Sequence, residues 1–175
     1  MKHLLRILEI QHIRDGKVIW EATDLPNTLH LDGEEFLLST VFRSTSGIII
    51  PSFFYVGMDN RSTVNVTDNM QSLTTEPTGN GYSRQPVSSA TGFTIEQFTI
   101  QGDTSGIQHW RAKSGVVAFT ASGASWGPVS NVFLTDRIDN SGYLISTAPL
   151  GSTRSVGPGD NLTFRFSLNV VDNGS

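Results

Sequence analysis

From residue 161 to 170 polar and apolar side chains alternate without a break: Leu162, Phe164, Phe166, Leu168 and Val170 on one side, Asn161, Thr163, Arg165, Ser167 and Asn169 on the other. Period-two alternation places these sets on opposite faces of an extended strand, one facing a core and one facing solvent or a partner. Shorter strand patterns recur at 93–100, 107–112, 116–121, 129–135 and 143–148, and turn signals such as Asp139-Asn140-Ser141-Gly142 and Val156-Gly157-Pro158-Gly159-Asp160 lie between them. The apolar run Phe53-Phe54-Tyr55-Val56-Gly57-Met58 suits a buried strand. Near the start, Arg14-Asp15-Gly16-Lys17 separates the β-forming stretch 4–13 from Val18-Ile19-Trp20. Asp-Gly tolerates positive φ at both central turn positions, so this segment predicts a β-hairpin.

One segment has a helical pattern. Asp32 precedes Gly33-Glu34-Glu35-Phe36-Leu37-Leu38-Ser39-Thr40-Val41-Phe42-Arg43 and is placed to cap the first turn, with Glu34 and Glu35 at the positive end of the helix dipole and Arg43 at the negative end. Leu37, Leu38, Val41 and Phe42 form an apolar stripe, which predicts a short helix near 33–43 capping a sheet. Residues 59–92 are mostly Asn, Thr, Ser, Gly and Pro and predict a long loop or arm, of a length that usually serves contact with something else. Many short strands with Gly-rich turns make a sandwich or barrel, and 175 residues suit one domain.

Charged residues are only 16% of the chain, below the roughly 25% of an average globular protein. Uncharged polar surface of this kind suits wide protein contacts. The net charge of −4, without a cluster of Lys and Arg, argues against nucleic-acid binding. No apolar run of membrane-spanning length occurs, and Arg6 and Glu9 interrupt the N-terminal apolar stretch, so the expectation is a soluble product made in the cytoplasm without signal peptide or membrane partner. The absence of cysteine excludes disulfides and thiolate chemistry.

Candidate chemistry is sparse. His3, His12, His30 and His109 are scattered and read as surface or partly packed side chains. Gly123-Ala124-Ser125-Trp126-Gly127 spells the hydrolase Gly-x-Ser-x-Gly pattern, but a strand pattern follows it where a nucleophile elbow needs a helix. The better reading is an inter-strand turn with Trp126 as a core anchor. Asp59, Asn60, Asp68, Asp103, Asp136, Asp139 and Asp160 offer oxygen ligands without a calcium-loop spacing, and turn chemistry explains them. Trp110, Trp126, Tyr55 and Tyr82 could stack on a sugar, though isolated aromatics in β-proteins usually pack in the core. Three glycosylation spellings, at Asn60, Asn65 and Asn161, are coincidental without a secretory signal. No catalytic, metal or cofactor site is expected, and the chain reads as a non-enzyme.

A succession of segments resembles bacteriophage virion proteins: Phe54-Tyr55-Val56-Gly57-Met58-Asp59-Asn60, Leu73-Thr74-Thr75-Glu76-Pro77 and Gly81-Tyr82-Ser83-Arg84-Gln85-Pro86-Val87. Phe119-Thr120-Ala121, Trp126-Gly127-Pro128-Val129, Ser141-Gly142-Tyr143-Leu144-Ile145-Ser146 and residues 156–162 continue it in order, over about residues 20–170. The resemblance implies an all-β, single-domain antiparallel β-sandwich or jelly roll, often homotrimeric, without catalysis. It implies a structural protein of the virion, made in the host cytoplasm, with the major capsid protein or tail proteins as partners. The leading expectation is an outer capsid decoration or cement protein; the alternative is a tail-associated structural protein or a carbohydrate- or receptor-binding module. In either role the 59–92 arm would contact a neighbour, with Arg61, Glu76, Tyr82 and Arg84 as the inter-subunit contact candidates.

Overall fold

A computed structural model describes residues 5–43, 48–99 and 108–170. Asp15 and Gly16 take φ of +49° and +73°, and the turn they make joins β1 (Leu5–Arg14) to β2 (Lys17–Leu25) as the sequence predicts. The long alternating segment is β11 (Asn161–Val170), which lies against β1, with Ile10 opposite Phe164 and His12 opposite Leu162. On its other side β11 pairs first with β8 (Val117–Thr120) and then with β7 (His109–Ser114). Lys113 faces Ser167 whereas Val117 faces Phe164, so β7 and β8 form one strand interrupted by a one-residue bulge. β6 (Phe93–Phe98) completes this first sheet beside β7.

The second sheet runs in the order β3 (Thr28–Leu29), β10 (Leu144–Ser155), β9 (Pro128–Thr135), β4 (Phe53–Asp59), β5 (Gln85–Ser88), all antiparallel. The two sheets face one another across Ile7, Ile10, Phe119, Leu162 and Phe164 from the first and Val56, Met58, Val132, Leu134, Ile145 and Ala148 from the second, all buried. The expected all-β sandwich is observed.

Helix α1 (Leu31–Phe42) closes one end of the sandwich. Gly33 lies against the Ile145 carbonyl, where an added Cβ would collide with backbone. Phe36 enters the core edge-on to Phe54 at 6.0 Å and packs against Tyr143 at 5.7 Å. Two expectations need correction. The helix begins earlier than expected, with His30 at the capping position and Asp32 inside the first turn, where it still lies at the positive end of the dipole. The stripe of Leu37, Leu38, Val41 and Phe42 does not face inward: Gly33, Phe36 and Ser39 do, Leu37 is half-buried, and Leu38, Val41 and Phe42 are exposed. Fixing the helix by the Gly33–Ile145 approach forces this rotation, because only a residue without a side chain can come that close.

β11 also departs from strict alternation: Ser167 and Asn169 on its polar face are buried. Their neighbours in register are Arg6, Lys113 and Arg111, long side chains whose stems shield small residues between them.

Candidate functional site

The expected arm at 59–92 is a folded cover, not a free loop. Its last part forms β5, and Asn69 caps a short 3-10 turn at Met70–Ser72, its side chain accepting the Gln71 N–H at 3.0 Å. Met70 and Leu73 are buried with Phe133 and Leu144 in a second small core on the outer side of the second sheet.

Charged side chains fasten this cover. Asp59, fully buried at the end of β4, accepts the Arg61 backbone N–H at 2.8 Å, the Arg61 guanidinium at 3.0 and 3.2 Å and the Asn131 amide at 2.8 Å. Arg61 also donates to Asp68 at 2.7 Å and to the Thr147 hydroxyl at 3.1 Å. His30 Nδ1 lies 2.9 Å from the Asn65 carbonyl, which can only accept, so Nδ1 carries the proton. In the neutral ring Nε2 then accepts from Thr147 at 2.8 Å, and the chain Arg61 to Thr147 to His30 to Asn65 has a donor for every acceptor. Burial pushes the His30 pKa down, which keeps this neutral form.

A second clamp holds the other half. Arg84, 6% exposed, forms a bidentate pair with Glu76 at 2.6 and 2.8 Å, donates to the Asp139 carbonyl at 2.7 Å and to the Asn140 side chain, and lies over the Phe133 ring. Tyr82 donates to Glu76 at 2.8 Å, and its oxygen accepts the Met58 N–H at 2.8 Å. Burial raises the Tyr82 pKa and keeps the phenol protonated. Arg61, Glu76, Tyr82 and Arg84, expected as contacts with a neighbour, are therefore all engaged within the chain. The turn residues around them gave a loop pattern because buried ion pairs and surface turns use the same residue types.

The third cluster ties the end of β1 to the turn before β11. Asp160, 1% exposed, accepts from Arg14 Nε at 2.8 Å, Arg14 Nη2 at 2.7 Å, His12 Nε2 at 2.9 Å and the Gly157 N–H at 2.8 Å. The Arg14 hydrogen bond, ahead of the Gly157 and His12 bonds, holds its carboxyl well below the usual carboxylate range. His12 and His30 are thus buried and specifically bonded, where the sequence suggested surface or partly packed rings.

The remaining candidates resolve as turns and core. Ser125 donates to the Val156 carbonyl at 2.8 Å in the loop before β9, while Trp126 is buried and donates to the Asn80 carbonyl at 2.8 Å. Tyr82 stacks on Phe119 and meets Trp126 edge-on. Asp136 accepts the Tyr143 N–H and Asp139 the Ser141 N–H, as turn residues do. Asp103 lies outside the described residues. Among the described residues no group of three or more His, Asp or Glu side chains is placed to hold a metal ion, and no helix is long and apolar enough to cross a membrane. Of Trp110, Trp126, Tyr55 and Tyr82, only Trp110, on β7, is exposed, at 55%.

Sequence reasoning missed one surface, the outer face of α1 with Leu31, Leu38, Val41 and Phe42. The signal was present: Leu31, Phe36, Leu37, Leu38, Val41 and Phe42 are more apolar residues than one side of a three-turn helix can bury.

The family model for podophage GP4 fiber I protein gp80 matches residues 32–170, which takes in α1 from its second residue and every strand from β4 to β11. No curated protein matches the chain.

Proposed function

Because the chain belongs to the family of podophage GP4 fiber I protein gp80, and so is a structural protein of the phage virion, we propose that it is a building block of a tail-attached fiber. In this reading it acts by subunit contact, as a homotrimer, without substrate turnover. The family's fiber description favours this placement over a capsid decoration or cement role.

The observation that carries a purely structural reading is that the polar chemistry is turned inward. The Asp160–Arg14–His12 cluster joins segments distant in sequence directly, and the local Asp59–Arg61–Asp68 and Glu76–Arg84 pairs do so through Asn131, Thr147 and the 139–140 turn, with the acids 0 to 16% exposed. Buried pairs of this kind specify one arrangement of the chain, a useful property for a subunit repeated in an assembly. Ser125 has its hydroxyl on a backbone carbonyl, which supports a turn role over a nucleophile.

Gold-labelled antibody against the purified protein, applied to intact particles, tests the placement: label on tail-attached fibers supports it, and label over the capsid shell restores the decoration role. Light scattering tests the oligomer, which should have three times the 19.0 kDa chain mass. Saturable glycan binding lost on changing Trp110 would favour a receptor-recognising module instead.

A further inference from the structure

Helix α1 is apolar on two sides. Its inner side holds Gly33, Phe36 and Ser39, yet Leu31, Leu38, Val41 and Phe42 stand outward with 51, 60, 69 and 80% of their surface exposed. At 3.6 residues per turn, Leu31, Leu38 and Phe42 fall within about 40° of one another, and Val41 lies at the margin of the stripe.

On the Leu37 side, next to Val41, α1 approaches the first sheet. Leu37 lines, with Phe93, Phe166 and Leu168, a small apolar cavity of about 50 Å³ beneath α1. In register Leu168 is followed by Ala112 on β7 and Ile95 on β6. Ile95 shares the core-side face with Phe93, and Trp110 shares it with Ala112, but both project past the cover of the second sheet and remain 64 and 55% exposed. Val41, one turn beyond Leu37, points toward the same side of the helix.

We propose that this end of the molecule, formed by Leu31, Leu38, Val41, Phe42, Ile95 and Trp110, binds a second copy of the chain; the inference rests on the fiber reading above. With roughly 100 Å² exposed by each large side chain, the surface amounts to about 600 Å². That is the upper end of what a monomer leaves uncovered, and it approaches the roughly 800 Å² that one partner contributes to a stable interface. Glu34 falls between Leu38 and Val41, so it is the row Leu31, Leu38 and Phe42 that has no charged side chain and can meet its own copy without burying an unpaired charge. Glu34 and Glu35 are exposed on either side of it. Between identical copies these carboxylates repel across the rim, so added salt should strengthen association, whereas it would weaken docking onto a basic partner.

Light scattering over a range of concentrations tests the surface, with Phe42→Glu and Trp110→Glu as separate variants and Ile19→Glu, at an exposed position on β2, as control. Near-UV circular dichroism and melting establish that each variant is folded. Self-association should weaken at least roughly 30-fold in both surface variants and stay unchanged in the control. A wild-type chain that remains monomeric at every concentration, or folded surface variants that associate like the wild type, would overturn the inference. If the label on particles lies on fibers while the variants still associate, the surface assignment fails and the fiber reading stands. If the variants lose association but the label lies on the capsid, the reverse holds.

Discussion

Replacing Asp160 by Asn keeps the shape of the side chain and removes the charge on which three groups converge. Asp160 is 1% exposed, and its oxygens accept four hydrogen bonds, from Arg14 twice, His12 and the Gly157 N–H. In Asp160→Asn one oxygen becomes an amide that points its own hydrogens at donors. Breaking a buried ion pair on one side costs about 3–5 kcal/mol, but the Arg14 side chain is 49% exposed and can return to water. The expected loss is therefore at the low end, about 3 kcal/mol. At about 2–4 °C per kcal/mol for a chain of this length, the melting temperature should fall by roughly 6–12 °C. The effect has a pH signature. Because the folded-state pKa of Asp160 is depressed, chiefly by the Arg14 bond, its stabilisation is complete above the unfolded value near 4 and is lost as pH falls through the folded value. Urea titrations at pH 7 and at steps below pH 4 should show a wild-type advantage that shrinks with acid. A difference below about 1 kcal/mol at pH 7, or one that does not shrink as the pH drops, refutes the reasoning.

Other substitutions probe the remaining joints. Gly33→Ala places a methyl group inside the Ile145 carbonyl and should cost about 1–3 kcal/mol in urea unfolding, by lifting α1 off β10. Phe36→Ala empties the contact with Phe54 and Tyr143 and should cost about 3–5 kcal/mol by the same assay. Arg84→Met leaves Glu76 without its bidentate partner, so limited proteolysis should cut within 59–92 much faster than in the wild type. His30 is held neutral by burial, so the wild type should lose stability as pH falls below about 6.5, where the unfolded ring takes up a proton that the folded one resists. A His30→Gln variant should show a flatter profile in that range, measured by melting at each pH.

The sequence carried the parts of this fold that rest on local pattern. Asp15-Gly16 marked the first hairpin, alternation through Leu162, Phe164 and Phe166 marked the core face of β11, and Trp126 behaved as a core anchor. It did not carry what depends on tertiary approach. The strand pattern at 143–148 covers only the first part of β10, which continues to Ser155 through an irregularity in its pairing with β9. The rotation of α1 is set by Gly33 against a backbone 112 residues away, so a helical pattern apolar on two sides could not say which faced in. Residues 59–92 looked like an arm because Asp59, Arg61, Asp68, Glu76 and Arg84 are residue types common on surfaces. Only their partners on β9, β10 and the 137–140 turn show that they hold a folded cover in place. The same limit applies to the virion assignment: the resemblance to virion proteins agrees with the family match, and the choice between capsid and tail turns on that match rather than on composition.

Cryo-electron microscopy of phage labelled with gold-conjugated antibody reads the position of the protein on the intact particle. Label should be confined to tail-attached fibers, at the mass density of oligomers joined through their α1 ends. Label distributed over the capsid faces, or particles that bind none, would contradict this placement.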